Sequence, residues 1–135
     1  RERRPANEEE MEVLGLEDAD DVIHIRRVRE LDERPALLED VVVAATRFPT
    51  LESLPETLPN TLYQLYQQRF GCNVSHAEER LFAVAAGKDE AHHLEIAEGS
   101  PILEIRRVAR DIQEQALEYR VSRCETRHHC YFNEL

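Results

Sequence analysis

Residues 25–28 read IRRV, and residues 105–108 read IRRV again. The offset is 105 − 25 = 80, and the correspondence runs beyond four letters. At that spacing Leu14 falls on Leu94, Leu16 on Ile96, Val22-Ile23 on Ile102-Leu103, and Ala36-Leu37 on Ala116-Leu117. Upstream, the acidic EEE of 8–10 falls on KDE of 88–90. The match covers a whole supersecondary unit, so the chain is read as an internal duplication.

Each unit has the same local grammar. A short helix comes first: Asn7 is a capping residue, Glu8 to Glu10 occupy the first turn, and Gly15 can close the end. In the second unit the helix covers about Asp89 to Leu94. An acidic turn follows, then an Ile- and Val-rich strand, a polar turn (RELDERP at 29–35, ARDIQEQ at 109–115) and a returning strand. Strands joined so tightly are antiparallel. Between the units, FPTLESLPETLPN (48–60) carries three prolines and is read as loop with at most one helical turn. A middle helix then starts at an Asn60 cap, carries Leu62, Leu65, Tyr66 and Phe70 as one stripe, and stops at Gly71. Further strands are expected within 72–86 and at CYFNEL, 130–135. The counterpart of the 72–86 strand would end at about residue 6, so RERRPA is expected to be the end of a truncated element.

Composition narrows the function classes. The 135 residues suit one domain, and 41% are hydrophobic. A formal net charge of −11 argues against this segment lying on nucleic acid or an anionic membrane, which both need a basic face. No stretch approaches a membrane span and no signal peptide is visible. Three cysteines without framework spacing are read as reduced thiols in a cytoplasmic setting. The HHC at 128–130 lacks a second ligand pair, so no metal and no cofactor are expected. No Gly-rich phosphate loop, nucleophile elbow or H-E-x-x-H occurs.

Strand alternation puts Ile23, Ile25, Arg27 and Arg29 on one face. In the return strand Leu37, Glu39, Val41 and Val43 share a face, so Glu39 interrupts an apolar row. Such charges are costly to bury unless paired or solvated. Two readings follow: a cross-strand Arg–Glu pair, or a patch where arginine grips a carboxylate or phosphate. Arg107 continues the row of Leu103 and Ile105 and is read as scaffold. Thr61 places a hydroxyl at a helix N-terminus, where anions are favoured.

LGLEDADDVIHIRRVRELDERPALLEDVVV, then TLYQLYQQRFG, then ILEIRRVARDIQEQALEYRVSR, in this order and spacing, resembles the UTRA domain. That is the effector-binding domain of the HutC branch of GntR-type transcription regulators. The resemblance runs from about residue 8 to the C-terminus. It implies a chorismate-lyase-like α/β (α+β) fold, a central antiparallel sheet flanked by short helices. It implies that 1–135 is one ligand-binding domain whose N-terminal winged helix-turn-helix is absent from this chain, so that operator DNA is met only through that domain. It further implies a homodimer responding to a small anionic metabolite: a sugar phosphate, an organic acid or an amino-acid derivative. Carried over by position, the family's R-x-R falls on Arg27 and Arg29, its return-strand glutamate on Glu39, its S/T-L-Y on Thr61 and Tyr63, and its P-x-E on Glu118. By parity, however, Glu118 alternates with Leu117 and Tyr119 and can equally face water. Cys124 stands where the family often has an aromatic, Ala116 replaces a proline, and Arg127-His128-His129 replaces D-R-Y. The alternatives are a chorismate-lyase-like enzyme and a dimerisation module with a degenerate pocket.

Overall fold

A computed structural model describes residues 1–135. Six strands form one antiparallel sheet: β1 (Glu2–Pro5), β2 (Asp21–Leu31), β3 (Arg34–Ala44), β4 (His76–Ala85), β5 (Pro101–Arg110) and β6 (Ala116–Glu125). Three helices accompany it: α1 (Glu8–Leu14), α2 (Leu62–Phe70) and α3 (Lys88–Leu94). The sheet order is β1-β2-β3-β6-β5-β4, so each unit contributes three adjacent strands and the units meet where β3 pairs with β6. This is the expected α+β arrangement. No helix is long and apolar enough to cross a membrane.

The duplication is visible in the hydrogen-bond register. Arg3↔Ile23 between β1 and β2 maps, at 80 residues, onto Ala83↔Leu103 between β4 and β5. RERRPA thus holds a four-residue strand that is the 80-residue equivalent of the end of β4. The return strands differ. Arg29 pairs with Leu37, whereas Ala109 pairs with Glu118, so β6 matches β3 at 81 residues. The expected overlay of Ala36-Leu37 on Ala116-Leu117 is therefore one residue out; Ala36 corresponds to Leu117. The second hairpin carries one more residue: Glu30 pairs with Pro35 but Arg110 with Ala116. With that shift a pseudo-two-fold axis passes through the pair Asp40↔Val121.

The two sheet faces are covered differently. α1 and α3 both lie on one face, where Leu14, Val22 and Tyr119 form one cluster and their equivalents Leu94, Ile102 and Leu38 form another. α1 begins with a reciprocal cap, since Asn7 accepts from the Glu10 N–H while the Glu10 carboxylate accepts from the Asn7 N–H. The opposite face carries α2 alone. Leu62, Leu65 and Tyr66 pack on Ile23, Ile25, Val41, Val43 and Leu117, with Phe48 edge-on to Tyr66 at 4.7 Å. No helix of the second unit matches α2, so that half of the face stays partly open.

Two local expectations are corrected. The N-cap of α2 is Thr61, without a side-chain capping bond, and not Asn60. CYFNEL forms no strand, because it pairs with none; Tyr131 Oη instead donates to Glu79 at 2.7 Å. His24 on β2 and His76 on β4 contact Asp40 at 2.7 Å and Glu114 at 3.1 Å.

Two stability predictions follow. Phe48 is wholly buried, so Phe48→Ala should cost about 3–5 kcal/mol in urea denaturation; a loss under about 1 kcal/mol would show that the loop does not seal this core. Asp32 and Glu33 turn the first hairpin with φ of 53° and 65°. L-residues pay roughly 1–2 kcal/mol there, so Asp32→Asn combined with Glu33→Gly should raise the melting temperature.

Candidate effector site on the open sheet face

The strand registers lay out the face under and beside α2 in rows. One row runs Arg29–Leu37–Cys124–Leu103 from β2 to β5. The next runs Arg27–Glu39–Ser122–Ile105, and the third Ile25–Val41–Arg120–Arg107–Glu79. The fourth is Ile23–Val43–Glu118–Ala109. Apolar side chains at the β2–β3 end of the third and fourth rows are sealed by α2. Charged residues begin where α2 stops.

Arg27 and Glu39 are directly opposed, and Arg27 Nη2 donates to Glu39 Oε2 at 2.9 Å. Arg27 Nη1 donates to the Pro59 carbonyl at 3.0 Å, tying the loop before α2 to the sheet. Its Nε is buried without a hydrogen-bond partner. Arg29 is held more loosely: it lies 3.7 Å from Glu39 and 3.4 Å from the Asn60 carbonyl. Glu39, 4% exposed, also lies 4.0 Å from Arg120 and so sits among three guanidiniums.

Glu118 is fully buried. It accepts from Tyr66 Oη at 2.5 Å and from Arg120 Nε and Nη2, each at 2.9 Å. The water-facing alternative for Glu118 is thus excluded. The cause is the irregularity at Ala109/Arg110, which leaves Leu117 unpaired and resets the alternation along β6. Burial, together with the adjoining Glu118 carboxylate, drives the Tyr66 hydroxyl well above the usual phenol range, so it stays a donor. Burial works against the Arg120 guanidinium, but Glu118 and Glu39 more than compensate and raise its pKa.

Tyr63 lies over Arg120, with the guanidinium 5.6 Å from the ring centre. Its hydroxyl is 3.4 Å from Arg107, which also donates to Glu79 at 2.8 Å. Arg107, read as scaffold, therefore joins the cluster. Thr61 is exposed at the α2 N-terminus. Cys124 lies in the Arg29 row, and burial, aided by Glu125, raises its thiol pKa. The structure thus brings Arg27, Arg29 and Glu39 together, places Glu118 in contact with Arg120, and sets Tyr63 above that pair.

Sequence reading missed Arg120 and Tyr66. A tyrosine in a buried stripe needs a partner for its hydroxyl, and that was the available signal. Two cavities lie elsewhere. One of about 760 Å³ is bordered by Arg34, Glu125, Arg127 and His128 near the C-terminus. The other, about 260 Å³, lies on the α1/α3 face beside His24, Asp40 and Tyr119. Neither includes Arg27, Arg29 or Glu39. No group of three or more His, Cys, Asp or Glu side chains is placed to hold a metal ion.

Comparison with known proteins adds to this geometry. The family model described as the UTRA domain matches residues 1–129. The chain is 28% identical over 100 residues to the "Probable fructoselysine utilization operon transcriptional repressor" of Escherichia coli (strain K12), covering 74% of this chain and 41% of that protein. It is 30% identical over 121 residues to the "Probable transcriptional regulator PhnF" of the same organism, covering 88% of this chain and 49% of that protein. The chain thus spans about half the length, or less, of these curated relatives. The crystal structure of the ligand-binding domain of a protein assigned to the GntR-family transcriptional regulators, from Bordetella bronchiseptica, superposes with a TM-score of 0.90 at 31% identity, covering 99% of this chain and 85% of that one. A family match along nearly the whole chain, with the same fold in a related ligand-binding domain, gives its class: the chain belongs to the UTRA domain family, the effector domains of GntR-type transcription regulators.

Proposed function

We propose that this chain is the effector-binding and dimerising part of a cytoplasmic transcription regulator of the HutC branch, and that its ligand is a small anionic metabolite. The observation that carries the reading is the arginine pair on β2. Arg27 is anchored by Glu39 and Pro59, while Arg29, beside it on the same face, has only long contacts. A guanidinium held in place by its neighbour yet short of acceptors is suited to a carboxylate or phosphate. Thr61 adds a hydroxyl and the N-terminal end of α2 from above. Glu39, Tyr63 and Cys124 define the remaining walls, and Glu118, fully buried, positions Arg120 behind them.

Binding at this position can be transmitted. The Pro59 and Asn60 carbonyls tie the loop before α2 to the two arginines, so a ligand competing for Arg29 alters how that loop and α2 are held. If two arrangements of the dimer hold the loop differently, a ligand preferring one of them shifts the equilibrium by its difference in affinity. A DNA-binding domain joined to the chain then meets its operator with altered affinity. An enzymatic role is not proposed: the carboxylates at the site are each engaged by arginine, and the named relatives are regulators.

The reading is tested by thermal-shift screening with phosphorylated sugars, organic acids and amino-acid derivatives. At a hundredfold excess over Kd a ligand should stabilise the domain by about 2.7 kcal/mol. Arg27→Ala should weaken the response at least tenfold in concentration while the domain stays folded; an unchanged response would remove Arg27 from the site. Glu118 separates a supporting role from a binding one. Glu118→Ala leaves Arg120 buried without its counter-ion and should cost about 3–5 kcal/mol in denaturation, whereas Tyr66→Phe, which removes one of three bonds to Glu118, should cost about 1–2 kcal/mol. Equal costs would contradict the hydrogen-bond arrangement described. Incubation with chorismate should release no pyruvate.

A further inference from the structure

We infer that the effector is a monocarboxylate with an apolar body of about six to nine heavy atoms, in preference to a phosphorylated sugar. The inference rests on the effector-site reading above and narrows it.

Formal charge is the first argument. The cluster holds four guanidiniums, Arg27, Arg29, Arg107 and Arg120, and three carboxylates, Glu39, Glu79 and Glu118. Four minus three leaves one positive charge. Three arginines have a close carboxylate partner: Arg27–Glu39 at 2.9 Å, Arg107–Glu79 at 2.8 Å and Arg120–Glu118 at 2.9 Å. Arg29 is the one left over, 3.7 Å from a carboxylate that already serves Arg27. A single negative charge on the ligand completes the balance. A phosphate monoester carries close to two, and the second would find no guanidinium left without a close carboxylate partner.

The floor is the second argument. Continuing from Arg29 across the sheet, the row reads Leu37, Cys124 and Leu103, with Ser122 and Ile105 beside it. None of these is fully buried, and none packs in the three core clusters. They lie beyond the cover of α2, where the C-terminal segment reaches the face at Tyr131, whose hydroxyl donates to Glu79. The only hydroxyl on this floor is that of Ser122; Thr61, Tyr63 and Tyr131 offer theirs from its margins, so sugar hydroxyl groups lying on the floor itself would lose water for a single partner. An apolar body gains from the same surface. With strands about 4.8 Å apart, a head at Arg29 and a body reaching Leu103 span roughly 10–14 Å.

The test is isothermal titration calorimetry of this chain at pH 7.5 with two matched pairs: phenylacetate against phenyl phosphate, and octanoate against glucose 6-phosphate. The carboxylates should bind at least tenfold tighter than their partners. Arg29→Gln should abolish that binding. Glu39→Gln, or Glu79→Gln if the first fails to fold, adds one unit of positive charge and should shift preference toward phenyl phosphate by about tenfold. Tighter binding of either phosphate by the unmodified chain overturns the monocarboxylate assignment and leaves the anion-effector reading standing. Binding of none of the four, or carboxylate binding that survives Arg29→Gln, overturns both.

Discussion

The pairing of β3 with β6 is the constraint on which the rest of this domain depends. It joins two units that each supply only three strands, and it buries β3 between β2 and β6. Leu38, Val41, Val42, Val43 and Ala44 are nearly inaccessible as a result. The axis through Asp40↔Val121 then dictates what each face receives. On one face α1 and α3 close symmetrically over equivalent clusters. On the other, α2 covers the first unit only, and the asymmetry creates a sheltered edge beside an open floor. The site is a consequence of that broken symmetry: the same strand positions carry Arg27 opposite Glu39 in one unit and Arg107 opposite Arg120 in the other.

Opposing two arginines on adjacent strands is unfavourable by itself. The domain resolves it by turning each toward a different carboxylate, Arg107 to Glu79 on β4 and Arg120 to Glu118 on its own strand. Tyr66 completes the Glu118 shell from α2, which couples the helix position to the charged network. Removing Glu118 or Arg120 leaves the other buried without its counter-ion, so this pair holds its part of the site rigidly. Arg29 lies outside this arrangement, with only long contacts to Glu39 and the Asn60 carbonyl, which is why the proposed ligand contact is assigned to it.

Much of this was legible in the sequence, for reasons that can be named. The 80-residue offset identified the two helix–strand–strand units, and alternation placed Arg27 and Glu39 on one face, where they do pair. What escaped was non-local or depended on one residue. The extra residue in the second hairpin changed the offset of β6 to 81, and no periodicity argument sees a loop length that leaves the strand pattern intact. Parity counting also assumes an unbroken ladder, so it could not decide the orientation of Glu118 beyond the irregularity at Ala109/Arg110. Arg120 carries no signal in the sequence until β3 is known to be its neighbour. CYFNEL carries strand-forming residues, but a strand also needs a partner, and none is supplied.

The most direct measurement of the central claim, that the ligand is gripped by the β2 arginines beside α2, is the arginine Nε–Hε spectrum of the isotopically labelled domain, recorded with increasing phenylacetate. The account predicts that the Arg29 signal moves most, with smaller shifts at Arg27 and Arg120, while those of Arg34 and Arg127 stay still. Saturable shifts at Arg34 and Arg127 with Arg29 unmoved would place the ligand in the C-terminal cavity and contradict it.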